Sequence, residues 1–318
     1  MTQWRALTAS DLPALAALTR SVLAVDGGLP QSADEGFLRG RYLPAGTPAG
    51  APGGLLGEAV GGFEADELVA AAAVRPVGPA PGPGQPGIGL TGVVGQVAPD
   101  HRGRGLGRHI LEWGLARAPR PRVETETWTP AVDRLLTRYG LERTFGELVM
   151  TCPLTDTPAA TATAGGAGPA AGTPLPDGVT LEEWRPGNVA DFFAAYHASF
   201  RDRPGFPGWS AEEWIDWISG DEDDFRADWA ILARDADGTP AGFCVASPDH
   251  AINQAGVVPG WRRRGLGRAL LTESARRMRA EGATSVLLMV ATNNPGATAL
   301  YESLGYVETG QRARYERG

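Results

Sequence analysis

Six residues, Arg262-Arg263-Arg264-Gly265-Leu266-Gly267, follow an apolar run ending Val257-Val258-Pro259 and precede one with helical spacing. Glycines at the mouth of a helix let the main chain approach a ligand closely, because no Cβ stands in the way. The first N–H groups of that helix have no internal partner and carry the positive end of the helix dipole. Together they form an anion site suited to a pyrophosphate. Arginines beside it, Arg268 included, add charge-assisted hydrogen bonds to phosphate oxygens. Two common alternatives fail. A dinucleotide-type GxGxxG would need glycine at Leu270, and in an earlier copy of the loop at Ile110. A P-loop needs Gly-Lys-Ser/Thr, and the chain contains no lysine.

Downstream lies a second motif, Asn293-Asn294-Pro295-Gly296-Ala297-Thr298-Ala299-Leu300-Tyr301-Glu302-Ser303-Leu304-Gly305-Tyr306. With the Arg-x-x-Gly-x-Gly loop it resembles the GNAT superfamily of acyl-CoA N-acyltransferases. That family carries Gln/Arg-x-x-Gly-x-Gly/Ala and then Asn-x-x-Ala-x-x-x-Tyr-x-x-x-Gly-Phe; here Tyr306 replaces the Phe. The resemblance implies acetyl-CoA as cosubstrate, no metal, and a small-molecule amine as acceptor. It implies that Asn294 meets the pantetheine arm and that Tyr301 protonates the departing thiolate. It also implies that the main chain of Val257 and Val258 touches CoA, with a splayed-strand N–H binding the oxyanion. General acid catalysis of this kind is worth about 10²–10⁴-fold.

The amine itself sets a cost. At pH 7 an alkylammonium of pKa about 10.4 is only about 0.04% neutral, roughly 4.6 kcal/mol of deprotonation. Many family members place a Glu on the strand before the loop, and none stands between Ala251 and Val258. His250 and Asp249 are the candidate bases.

The loop has a twin. Ala98-Pro99-Asp100-His101-Arg102-Gly103-Arg104-Gly105-Leu106-Gly107-Arg108 matches Val258–Arg268 at seven of eleven positions, offset by 160 residues, as expected of a duplicated domain. Val97, Arg102, Gly103, Arg104, Gly105, Leu106, Gly107 and Arg108 are therefore the corresponding CoA-binding residues of the first half. Its second motif is weaker. The segment Trp128–Leu141 lacks the Asn, puts Leu136 at the Tyr place, and leaves Tyr139 to pack beside Gly140. The first half is expected to bind acyl-CoA without being the better catalyst. The tandem layout is similar to the mycothiol synthases, in which the C-terminal half does the chemistry.

The elements that must position these residues are legible in the second half. Strands are expected over Val179–Trp184, Trp229–Arg234, Ala241–Ala246, Ile252–Val258 and Val286–Val290, with a turn at Asp237-Gly238. Helices are expected over Asn188–Ser199, from Ser210 with a capping box, from Leu266 through Met278 until Gly282, and over Ala297–Leu304 until Gly305. A last pair of strands starts at Tyr306. The order is β-α-α-β-β-β-α-β-α-β-β, repeated less clearly in the first half. The expected fold class is α/β (α+β): two tandem GNAT-like domains, 1–152 and 179–318, each a mixed, splayed sheet flanked by helices. Between them, 153–178 is rich in Pro, Ala, Gly and Thr and cannot build a core. Gly78–Gly87 reads as a loop.

Length and composition agree. The 318 residues suit two domains. A net charge of −8 opposes nucleic-acid and anionic-membrane binding, which need a basic footprint. All 29 basic residues other than His are Arg, which removes lysine chemistry. Cys152 and Cys244 form no metal pattern and read as buried thiols of a cytoplasmic protein. The stretch Leu12–Leu18 is too short for a signal peptide or membrane span. The acidic run Asp221–Asp224 reads as a solvated loop, and Phe206, Trp209, Trp214 and Trp217 chiefly as core, with one or two lining a pocket. The expected function is an N-acetyltransferase working by direct attack in a ternary complex; a noncatalytic acyl-CoA-binding or sensing protein is the alternative.

Overall fold

The computed structural model describes residues 1–43, 57–77, 89–154, 173–203, 206–220 and 225–317. The acidic run 221–224, the loop 78–87 and most of the segment 153–178 lie outside them. In chain order the strands and α-helices are β1 (Gln3–Ala6), α1 (Leu12–Asp26), α2 (Glu35–Tyr42), β2 (Glu58–Glu64), β3 (Glu67–Val77), β4 (Leu90–Val97), α3 (Leu106–Leu115), β5 (Pro121–Thr125), α4 (Pro130–Arg138) and β6 (Leu141–Pro153). They continue as β7 (Thr180–Glu183), α5 (Val189–Phe200), α6 (Ala211–Ser219), β8 (Ile231–Arg234), β9 (Pro240–Ala246), β10 (Ala251–Val257), α7 (Leu266–Ala280), β11 (Ser285–Ala291), α8 (Pro295–Glu302) and β12 (Val307–Arg317). Two compact units result: Met1–Val149 with Thr309–Gly318, and Met150–Glu308.

In the first unit the strands run β1-β2-β3-β4-β5-β12, antiparallel except for β4 with β5. Leu68–Val74 of β3 is buried without a break, as expected of a central strand covered on both faces. Helix α1 buries Leu12, Leu15, Ala16, Leu18, Thr19 and Val22, spaced three or four apart. Gly27, at φ +65°, ends it.

The expected last pair of strands is instead the single strand β12. Gly310 does not turn the chain; it passes so close to Gly28 that a Cβ there would fall 1.9 Å from the Gly28 nitrogen. Beyond it, Ala313 and Tyr315 are buried in the first unit's core with Val93, Leu111 and Val123, and β12 pairs with β5 from Ala313↔Thr125 to Glu316↔Arg122. Alternate burial of Ala313 and Tyr315 is the two-residue period of one strand.

In the second unit the order is β11-β10-β9-β8-β7. Phe192, Tyr196, Trp214 and Phe243 anchor the core between the sheet and α5–α6. Ser210 caps α6 in a reciprocal box with Glu213, as its spacing predicts. Trp214 is fully buried, Phe206 and Trp209 pack partly against this core, and Trp217 is 52% exposed. Helix α7 buries Leu266, Leu270, Leu271, Ala275 and Met278, and Gly282 follows it at φ +95°.

Candidate active site

The second unit opens where β10 and β11 part. These parallel strands are in register only at Ala251↔Leu287 and Ile252↔Leu288. A bulge between Ile252 and Gln254 then shifts β10, which stays paired with β9 as far as Val257↔Gly242. The β11-facing edge of β10 after Ile252 is thus without a strand partner among the described residues. In an antiparallel ladder, residues alternate between exchanging hydrogen bonds with the neighbour and pointing away from it. Val258 N–H bonds Ala241 O at 3.0 Å, so Val257, one residue earlier, points its main-chain groups toward the opening. Val258 N–H is thus taken by Ala241, and its carbonyl accepts from Trp261 N at 2.9 Å. Both side chains are half-buried.

The loop after β10 begins with a short 3-10 turn, Pro259–Trp261. Arg263 follows in the left-handed region at φ +63°, where the twin loop has Gly103 at +75°. Gly265 then caps α7 at φ +87°, as Gly105 caps α3 at +86°. A Cβ at Gly265 would meet nothing within 4 Å, so its conformation, not crowding, demands glycine. At Gly267 a Cβ would lie 3.4 Å from Leu300 and 3.6 Å from Val257, so α7, α8 and β10 close together there. The first helical acceptor is Gly265 O, reached by Ala269 N at 3.1 Å. The N–H groups of Leu266, Gly267 and Arg268 therefore have no partner inside the helix. Leu266 contributes only main chain, since its side chain is buried. Open space over Gly265 beside those N–H groups fits a pyrophosphate.

The arginines divide their work. Arg262 Nε donates to Val257 O at 3.2 Å and Nη2 to Ser199 O at 3.0 Å, tying the loop to the ends of β10 and α5. Arg102 does the same in the first unit: Nε to Val97 O at 3.3 Å, and both Nη atoms to the Asp26 carboxylate at 2.8 and 2.6 Å. Arg264 lies over Trp261, 4.9 Å from its ring centre, and Arg268 donates to Ser303 Oγ at 2.5 Å. Arg263 is exposed, with no ion-pair partner among the described residues.

Helix α8 follows β11. Asn294 is its N-cap, with Oδ1 accepting from Ala297 N at 3.3 Å and the side chain exposed. Tyr301 is half-buried, 5.8 Å between ring centres from Tyr306. No hydrogen bond is found for the Tyr301 hydroxyl among the described residues. Burial, with Cys244 nearby, pushes its phenol up to about 12, so it stays protonated at neutral pH. Burial likewise raises the Cys152 thiol to about 11 and the Cys244 thiol to about 12.

The candidate bases both lie in the turn entering β10. His250 sits at φ +61° in the turn entering β10, its N–H on Ser247 O at 3.0 Å and its ring tilted against Trp229. Asp249 accepts from Ser247 Oγ at 2.5 Å. Both precede the paired end of β10, not the edge left open beyond Ile252.

The first unit has the same opening. β4 and β5 pair only from Thr91↔Pro121 to Val93↔Val123. A cavity of about 300 Å3 lies there, lined in part by Val97, Arg102, Gly103, Gly107, Leu136, Arg41 and Glu124. Leu136 is buried at the Tyr301 place, and Thr129 takes the N-cap that Asn294 fills in the other copy, accepting from Val132 N at 3.3 Å. Sequence reasoning missed that equivalence because it sought Asn; a cap-forming residue before Pro130 was the available signal. Arg104 pairs with Glu64 at 3.5 Å, Arg108 is exposed, and Leu106 is buried. Arg41 is ion-paired with both Glu124 and Glu126. Burial pushes the Glu124 carboxyl up, but Arg41 and Arg75 overcome it and hold the group below its ordinary value. Among the described residues no group of three His, Cys, Asp or Glu is arranged to hold a metal, and no helix is long and apolar enough to cross a membrane.

The second unit therefore combines a parting pair of parallel strands, a glycine-led anion loop after one and a tyrosine-bearing helix after the other. Comparison with known proteins agrees. The family described as acetyltransferase (GNAT) matches residues 190–306. A mycothiol acetyltransferase of Frankia casuarinae is 32% identical over 235 residues, 66% of this chain and 63% of that protein. One of Acidothermus cellulolyticus is 32% identical over 242 residues, 70% of each. One of Thermobispora bispora is 29% identical over 322 residues, 98% of this chain and 97% of its own. The chain thus spans just under two thirds of the Frankia relative and nearly all of the Thermobispora one. Among solved structures, a GCN5-related N-acetyltransferase from Sphaerobacter thermophilus has a TM-score of 0.71 at 24% identity, covering 99% of this chain and 95% of its own. A tandem GNAT protein from the clavulanic acid biosynthesis pathway has a TM-score of 0.58 at 17% identity, covering 100% and 99%. At these identities the two structures speak to the fold. The chain belongs to the GNAT family of acetyltransferases.

Proposed function

We propose that the second unit transfers an acetyl group from acetyl-CoA to the primary amine of a small molecule, by direct attack in a ternary complex. The observation that carries this is the parting of β10 and β11, with the anion loop after one strand and Tyr301 after the other. Ligands of open α/β sheets bind at such a divergence, beyond the carboxyl ends of the strands. The loop would hold the pyrophosphate through the free N–H groups of α7, with Arg263, Arg264 and Arg268 adding charge. Val257 N–H would face the thioester, and the Asn294 carboxamide the pantetheine arm. The amine nitrogen bonds to the carbonyl carbon, the C–S bond breaks, and the thiolate takes the Tyr301 proton. The phenolate regains a proton released by the amine nitrogen through water. A phenol held near 12 is a proton donor throughout the physiological range. Among the described residues, β10 beyond Ile252 carries no carboxylate, so on this reading the neutral fraction of the amine enters the rate directly.

The names of the curated relatives make a mycothiol-related amine the first acceptor to try. For the first unit we propose acyl-CoA binding without turnover. The cavity beside Gly103 and Gly107 supports binding, and Leu136 in place of a phenol argues against proton donation. The test is a panel of amines with acetyl-CoA, following released thiol. Thiol release dependent on one amine class supports the transferase; acetyl-CoA binding without release on any amine supports a sensing role instead.

A further inference from the structure

We infer that Ser199 and Gln254 form the acceptor side of the site, a hydroxyl that holds the attacking nitrogen and a carboxamide that donates to a neighbouring polar atom of the same substrate. The inference rests on the transferase reading above. Strand alternation gives β10 two faces. Val257 belongs to the face covered by α7, where Gly267 and Leu300 of α8 also lie. The anion loop and Tyr301 are both built on helices of that side. Gln254 and Gly256 belong to the other face, toward α5 and α6. With the donor's machinery on one face, the acceptor approaches from the other.

Ser199, on the last turn of α5, lies directly against that face. A Cβ added at Gly256 would come within 2.9 Å of Ser199 Oγ and 2.8 Å of the Phe243 ring. The hydroxyl is buried, with no hydrogen-bond partner among the described residues. A buried polar atom without a partner is rare and costly, and at a site edge a ligand atom is the natural partner. The carbonyl of Ser199 is bound by Arg262, so the residue is held in place by the anion loop itself. Two positions along the same face, Gln254 Oε1 accepts from Trp214 Nε1 at 2.9 Å, which leaves its N–H groups as donors. The ring of Trp214, which holds Gln254, packs against Tyr196 and Phe243 in the buried core, so the pair stands on a rigid base.

These groups select a neutral primary amine whose body carries further hydrogen-bond acceptors. Ser199 Oγ accepts a hydrogen bond from the amine N–H and aims its lone pair; no bond to Ser199 forms. Ser199 is a positioning residue.

The test is Ser199→Ala in the full chain, with steady-state kinetics for both substrates, acetyl-CoA binding and a thermal midpoint. One hydrogen bond lost from the acceptor should raise the amine KM about tenfold. The acetyl-CoA KM should match the parent and the midpoint should not fall, because the hydroxyl has no protein partner to lose. A merely structural serine would instead move the midpoint and both KM values together, which would overturn the inference. An unchanged amine KM in an active variant would also overturn it, leaving the transferase reading intact. If the parent binds acetyl-CoA yet releases thiol with no amine, the transferase reading fails and takes this inference with it.

Discussion

Arg263 holds a left-handed backbone that its twin position gives to glycine. For a residue with a Cβ this costs about 1–2 kcal/mol, the kind of strain that persists where a side chain is needed. Arg263→Gly should therefore keep the stability of the parent and weaken acetyl-CoA binding severalfold. Arg263→Val should lose about 1 kcal/mol or more, since a β-branched residue tolerates positive φ poorly. Denaturant melts with acetyl-CoA titrations separate the two effects; an Arg263→Gly variant with parental affinity would remove this arginine from the phosphate site. Which residue types the loop and the helix after β11 carry was legible from spacing. Which arginine does what was not: Arg262 reads as a phosphate ligand in a linear motif, and only folding brings Val257 O and Ser199 O within its reach. Ser199 was invisible for the same reason, since nothing in an alanine-rich helix end marks a hydroxyl that will lack a partner.

At the scale of elements, Asn294 has two separable duties, capping α8 and facing the cosubstrate. Asn294→Ala should cost about 1 kcal/mol of stability through the lost cap. Asn294→Thr copies the cap that Thr129 already makes in the first unit, so it should recover most of that stability while leaving the acetyl-CoA KM raised. Recovery of both by Thr would confine Asn294 to capping. The helices and strands of the second half were legible because each carries a clear period and a clear stop: the capping box at Ser210, Gly282 after α7, Gly305 after α8. The bulge after Ile252 that parts β10 from β11 was not, because Asn253 interrupts no hydrophobic pattern.

For the whole molecule, the residues of β12 from Thr309 onward belong to the first unit. Deleting 309–318 should therefore lower hydrogen-exchange protection in β5, which loses one of its two partners, and in the core around Tyr315. Unchanged protection over Pro121–Thr125 would contradict that assignment. A linear reading divides the chain at its low-complexity segment and gives each half its own end. It cannot foresee that the final strand is spent on the first unit, since Ala313 and Tyr315 would suit any strand with one buried face. Duplication was plain, and so was the asymmetry, from Leu136 against Tyr301. The central claim is that turnover belongs to the second unit and depends on the Tyr301 phenol. The direct measurement is kcat for amine-dependent thiol release by Tyr301→Phe, beside its acetyl-CoA affinity, from pH 6 to 9.5. The parent rate should rise with the neutral fraction of the amine and show no descending limb, since a phenol near 12 does not ionise in that window. Tyr301→Phe should lose about 10²–10⁴-fold in kcat with its acetyl-CoA affinity unchanged. Parental kcat in Tyr301→Phe would contradict the claim.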